Sequence, residues 1–175
     1  MTKTLQETRT PAQTSALGLE AEADLTSLQI QAVTDILNHV IATTTALFVK
    51  TKSYHWHVSG PHFRDYHLLF DEQAQALFAS IDVLAERVRS IGGTTIRSIG
   101  QVSHLQRIED DDATDISASE MVQHVLLDTK ILLQLLRQAH TISEECHDIA
   151  TTSVLENLLD ETEKRRWFLT EVATA

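Results

Sequence analysis

The chain has a single cysteine, Cys146, in 175 residues. That excludes an intrachain disulfide framework and a Cys-x-x-Cys redox pair, and it fits a reducing compartment, so a cytoplasmic location is expected. No run approaches eighteen uninterrupted apolar residues, and the polar start MTKTLQETRTPAQTS lacks the apolar core of a signal peptide. Neither a membrane span nor a secretion leader is expected. Basic residues are scarce: 14 Lys and Arg stand against 25 Asp and Glu, a formal charge of −11. Such a surface repels a phosphate backbone and attracts cations. Glycine-rich phosphate loops and nucleophile elbows are missing too.

Glycine and proline are nearly as scarce, and their positions parse the chain. They occur only at Pro11, Gly18, Gly60, Pro61, Gly92, Gly93 and Gly100. Residues 19–59, 62–91 and 101–175 are free of both, too little punctuation for strands joined by tight turns. Each stretch carries apolar residues at three-or-four spacing: Ile30, Val33, Leu37, Val40, Ile41, Leu47 and Phe48, then Phe63, Phe70, Leu77, Ile81, Leu84, Val88 and Ile91. Beyond the acidic EDDD segment at 109–112, Ser117 and Glu120 form a capping-box pattern ahead of Met121, Val125, Leu132 and Leu136. Ser153 with Glu156 offers a second. The pattern predicts helices over about 26–57, 62–91, 117–145 and 153–172, with a short helical turn near 101–108. The SGP turn makes the first two antiparallel, and the long link before the third marks a bundle with one crossover. Residues 1–24 are expected to be a flexible tail and 25–175 one all-α four-helix domain.

Histidine is what the chain has in unexpected density. His55, His57, His62 and His67 lie in KSYHWHVSGPHFRDYHLLFDEQ, with Asp71 four residues after His67. On the same predicted helix, Asp82 and Glu86 share a second i, i+4 face. Two imidazoles and three carboxylates suit Fe(II), Mn(II) or Zn(II). One chain cannot assemble them, because Asp71 and Asp82 are about 16 Å apart along an unbroken helix, and His67 and Glu86 about 28 Å. A twofold dimer with antiparallel second helices would bring the two ends together, twice. Against this stands a plainer reading of surface histidines and a solvated charged face at Asp82, Glu86, Arg87 and Arg89.

YHWHVSGPHF, DYHLLFDEQ and IDVLAERVRSIGG, with EKRRWFL near the C-terminus, resemble the Dps family of mini-ferritins over about residues 28–170. The resemblance implies a ferritin-like four-helix bundle assembled as a hollow dodecamer from twofold dimers. It further implies ferroxidase sites between subunits, with His55, His67 and Asp71 from one chain and Asp82 and Glu86 from its mate. Two irons per site would pass between Fe(II) and Fe(III), oxidised by hydrogen peroxide or more slowly by dioxygen, and ferric oxide would fill the shell. His57 and His62 stand where the family often has polar residues such as Asn, and are candidate further ligands. Trp56 is expected to pack beside the site.

The resemblance also implies a threefold pore lined by acids, and in the matching segment here, DIATTSVL, Asp148 is kept while Ser153 replaces a second acid and Asn157 follows a turn later. Glu144, Glu145 and Asp148 are therefore the candidate pore carboxylates. The lone Glu-x-x-His, Glu144 to His147, lacks the second copy that a site within one bundle needs. Zn(II) is an expected competitor, and a zinc-sequestering shell or a DNA-compacting protein are the alternative functions. Residues 1–24 hold only Lys3 and Arg9 against Glu7, Glu20, Glu22 and Asp24, so direct DNA binding is not expected.

Overall fold

In a computed structural model, residues 25–174 are described, and the regular structure among them is all helical. The expected tail, 1–24, lies outside the described residues. The helices are α1 (Ser27–His57), α2 (Phe63–Ser90), α3 (Ile99–Leu105), α4 (Ala118–Glu145) and α5 (Ile149–Ala173).

Capping chemistry sets most boundaries. Thr26 and Gln29 form a capping box at α1, and Ser117 with Glu120 forms the expected one at α4. The fourth long helix differs from expectation. It starts at Ile149, capped by Asp148 through Thr151 N–H at 3.1 Å, so Ser153 and Glu156 are helical surface positions and cap nothing. A Ser-x-x-Glu pattern is equally compatible with a helix interior, and only the acid at 148 accepts from the free N–H groups of the first turn.

Three contacts orient the bundle. Gln29 at the start of α1 bonds the Cys146 carbonyl at the end of α4 (3.1 Å). Lys50 near the end of α1 meets Asp128 in the first half of α4 (2.6 Å). Arg87 near the end of α2 meets Asp148 at the start of α5 (2.7 Å). The helices therefore run up, down, down, up, and the segment 91–117 must travel the bundle's length. That segment carries α3, held to α1 by His39 Nδ1 against the Leu105 carbonyl at 2.8 Å. Its departure from α2 needs two glycines. Gly92 adopts φ +87°, and a Cβ on Gly93 would lie 2.1 Å from Thr34 Oγ1.

The core is a stripe along each helix: Val33, Leu37, Val40, Leu47, Phe70, Leu77, Leu84, Leu132, Leu136, Leu155 and Leu169 are essentially inaccessible. Helix α1 lies at the bundle's centre, packing on α2, α3 and α4. By length and composition it could cross a membrane, but half of its most apolar window is buried in the bundle, which accounts for its hydropathy as a core helix.

The crossover is pinned at its far end by a half-buried polar network. The Tyr54 hydroxyl donates to Asp111 and lies 3.0 Å from His124 Nδ1, itself 3.1 Å from Asp111. The Tyr54 hydroxyl, a backbone N–H and His124 hold the Asp111 carboxyl down to about 2, and burial with the neighbouring carboxylate pushes the Tyr54 phenol up. His39 and His124 thus serve the fold, as isolated helical histidines usually do.

Candidate metal centre

The turn between α1 and α2 folds the end of one helix onto the start of the next. His62 enters α2 in a left-handed conformation (φ 61°) after Gly60 (φ 91°), and the reversal sets His55 over His67. Their rings stack, with centroids 3.8 Å apart at 24°. Each ring also bonds the other residue's backbone: His55 Nδ1 is 2.8 Å from the His67 carbonyl, and His67 Nδ1 is 2.8 Å from the His55 carbonyl.

A carbonyl can only accept, so both Nδ1 atoms carry the proton. Both Nε2 atoms are consequently bare lone pairs held in fixed orientation, and a backbone carbonyl on the opposite ring nitrogen is the arrangement that prepares imidazole for metal. Phe63 packs on His67, ring centroids 5.1 Å apart, and fixes its plane.

Asp71 sits beside this pair. Its Oδ1 lies 4.0 Å from His55 Nε2 and 2.7 Å from Lys52 Nζ, while Oδ2 accepts from Gln75 at 2.7 Å. The bond to Lys52 is the main reason the Asp71 carboxyl titrates below the ordinary carboxylate range. His55, His67 and Asp71 are therefore brought together at one end of α2. Among the described residues of one chain, no cluster of three or more His, Cys, Asp or Glu side chains closes around a metal position.

Asp82 and Glu86 do not join them. Helix α2 runs unbroken through Ser90 and leaves both carboxylates exposed, about 16 Å or more along the axis from Asp71. Beside them on this helix's exposed surface stand large apolar residues, Phe78 (63% exposed) and Val83 (47%). Apolar surface of this kind, adjacent to carboxylates that pair with no cation among the described residues, suits a protein–protein contact.

The other candidates fall away from the pair. The exposed His57 turns Nδ1 back to the Ser53 carbonyl at 2.7 Å, and the exposed His62 lies 3.9 Å from Asp65. Neither reaches His55, His67 or Asp71 within the chain. Trp56, expected to pack beside the site, is 65% exposed and has no such role inside one subunit. Successive helical residues are 100° apart, so His55 facing α2 turns its neighbour outward.

At the α4–α5 corner, Glu144 and Glu145 are exposed as a pore role requires, and His140 lies 3.5 Å from both Glu144 and Glu156. Asp148 corrects the expectation. It is 5% exposed and turned inward, accepting from Arg87 Nη2, Thr151 N–H and Thr151 Oγ1. The acid that the sequence offered for a pore is a structural anchor within the chain.

Lys52 and Gln75 were missed by the sequence reading, although the signal was there. Lys52 precedes His55 by three residues and Gln75 follows Asp71 by four, the spacings that share a helix face.

The comparisons agree with this geometry. A ferritin-like domain model matches residues 34–175, which sets the class as a ferritin-like bundle. The DNA protection during starvation protein of Brevibacillus brevis is 37% identical over 145 residues, 82% of this chain and 95% of that protein. A solved Dps protein from Bacillus brevis superposes with TM-score 0.80 at 33% identity, covering 85% of this chain and 99% of that one. The Dps protein of Vibrio cholerae O1, described as a member of a broad superfamily of ferritin-like diiron-carboxylate proteins, superposes with TM-score 0.80 at 26% identity over 84% and 92% of the two chains. The chain belongs to the Dps family of ferritin-like proteins.

Proposed function

We propose that the protein is an iron-storing mini-ferritin that oxidises Fe(II) with hydrogen peroxide at sites shared by twofold-related subunits of a dodecameric shell. The observation that carries this reading is the split of the donor set. His55, His67 and Asp71 form a prepared half-site at one end of α2, and Asp82 with Glu86 stand exposed toward the other. An antiparallel twofold pairing of α2 supplies each half with its complement, and the exposed Phe78 and Val83 supply apolar contact for it.

The chemistry follows from the donors. Bare imidazole Nε2 atoms hold the ferrous ion, and hard carboxylate oxygens favour the ferric product, so oxidation is drawn forward. Two ferrous ions give one electron each to peroxide, its O–O bond breaks, and the oxygens leave as hydroxide or water. Iron and peroxide are removed in the same step, which lowers hydroxyl-radical formation in the cytoplasm. Glu86 bridges two irons in this reading, and the ferric product collects in the shell. The exposed Glu144 and Glu145, with the net negative charge, draw cations toward the α4–α5 corner. The same negative charge opposes DNA binding by the described bundle.

Anaerobic Fe(II) loading followed by peroxide, resolved on a sizing column, tests the function. Ferric iron should co-elute with a large assembly while peroxide is consumed. Iron that precipitates apart from an intact assembly would refute the reading.

A further inference from the structure

At the other end of α1, about 30 Å along the helix from His55, a cleft opens beside the corner where the crossover leaves α2. Its volume is about 410 Å³, and its walls are the first turns of α1 and the segment Gly92–Thr94. Two buried oxygens face it without a partner. The hydroxyls of Thr44, Thr45, Thr129, Thr141, Thr152 and Thr170 each donate to the carbonyl four residues earlier, the usual resting place of a helical threonine hydroxyl. Thr34 does otherwise. Its hydroxyl is turned to Gly93, where a Cβ would lie 2.1 Å away, and it has no partner among the described residues although the residue is only 7% exposed. One turn later, Asn38 donates Nδ2 to the Thr94 carbonyl at 2.9 Å, and its buried Oδ1 is left without a donor. Buried polar atoms left in this way are costly, and a ligand with the right donors removes that cost.

The lining sets the chemistry of that ligand. Asp35, on the same face of α1 as Thr34 and Asn38, stands at the rim. Its oxygens accept from Gln31 Nε2 at 2.9 and 3.0 Å and keep further lone pairs, and no Lys, Arg or His lines the cleft. The partner must therefore bring hydrogens and a positive charge. A bare metal ion fits poorly, because its oxygens must converge to within about 2.6 Å of one point. A cleft of this volume instead holds a group of several heavy atoms. A primary ammonium carries three donors and no acceptor, which matches Thr34 Oγ1, Asn38 Oδ1 and the Asp35 carboxylate one for one. A guanidinium, with five donors, would leave two unmet. Ile30 and the bare backbone of Gly92 and Gly93 complete the walls and suit methylene groups.

We infer that this cleft binds a free protonated primary amine on a short aliphatic chain, held by Thr34, Asp35 and Asn38. The site is independent of the metal centre and of the function proposed for it. Binding gives Thr34 and Asn38 their missing donors and braces the corner at which the crossover departs. Gly93 belongs to the site as well, since any side chain there would occupy the space into which the Thr34 hydroxyl is turned.

The test is isothermal titration of the assembled protein with 1,4-diaminobutane at low ionic strength, in a phosphate buffer free of other amines. The fully N-methylated bis-quaternary analogue is the control. It carries the same charge without N–H donors and reports only the general attraction of a chain of charge −11. One diamine should bind per chain, at least tenfold more tightly than the analogue. Thr34→Val should weaken diamine binding at least tenfold while its Tm without amine stays at or above wild type, because the lost hydroxyl had no partner. Asp35→Asn should weaken it at least fivefold. Equal affinity for the two cations, diamine binding unchanged in Thr34→Val, or a lower Tm in that variant would overturn the inference. So would diamine binding seen only after Lys3→Ala, Lys130→Ala or Lys164→Ala has removed a lysine, since the occupant would then be the protein's own side chain.

Discussion

Two variants, each inactive alone, should recover iron oxidation when assembled together. The first carries His55→Ala and His67→Ala, which strips both imidazoles from one half of the site; the second carries Asp82→Asn and Glu86→Gln, which disables the other. Each alone should fall close to the uncatalysed rate of peroxide-driven Fe(II) oxidation, because every site in a uniform assembly lacks two of its five donors. In a twofold pair with one chain of each kind, one site collects both damaged halves and the other collects both intact ones. Random co-assembly makes half of the pairs mixed, each with one working site of two, so roughly a quarter of the wild-type rate should return. A site contained within one chain gives no recovery at any mixing ratio. Co-expression with two affinity tags and purification of doubly tagged assemblies provides the sample, and the initial rate of ferric absorbance provides the readout.

The second large effect is on stability and concerns Asp148. Its buried carboxylate receives the Arg87 guanidinium at 2.7 Å and caps α5 through Thr151. Thr151, fully buried, relays the contact by donating to Asp148 while accepting from Arg87 Nε at 2.7 Å. Asp148→Ala leaves the guanidinium facing a buried gap and the first turn of α5 without its acceptor. Removing one partner of a buried pair costs about 3 kcal/mol or more. For a chain of this size that lowers Tm by roughly 6–12 °C. Asp148→Asn keeps an acceptor for the cap and loses only the charge, so it should fall between the two. Thermal unfolding followed by circular dichroism makes the comparison. A wild-type Tm in Asp148→Ala would show that the carboxylate is free to serve another purpose, such as a pore.

What could be read in the sequence and what could not divides along a physical line. The long helices were legible because Gly and Pro are confined to a few turns and because Leu37, Leu77, Leu84, Leu132 and Leu136 keep helical spacing into the core. The capping box at Ser117 was legible for the same local reason. The start of α5 was not. Ser153 and Asp148 are both competent caps, and the choice depends on Arg87 from another helix, a contact without local signature. His55, His67 and Asp71 converge as their spacing suggested, since a two-helix hairpin leaves little freedom near its turn. The neighbours that finish the half-site, Lys52, Phe63 and Gln75, are ordinary residue types whose role appears only when the hairpin closes. Trp56 beside His55 turns outward, because helical geometry carries adjacent residues to different faces, so its expected packing beside the site falls to the contact between chains.

Anomalous diffraction from crystals soaked anaerobically in Fe(II) locates metal bound between two chains. An iron peak is expected on the twofold contact, ligated by His55, His67 or Asp71 of one chain and by Asp82 or Glu86 of its mate. An iron peak enclosed by one bundle, or confined to the α4–α5 corner with the twofold contact empty, would contradict it.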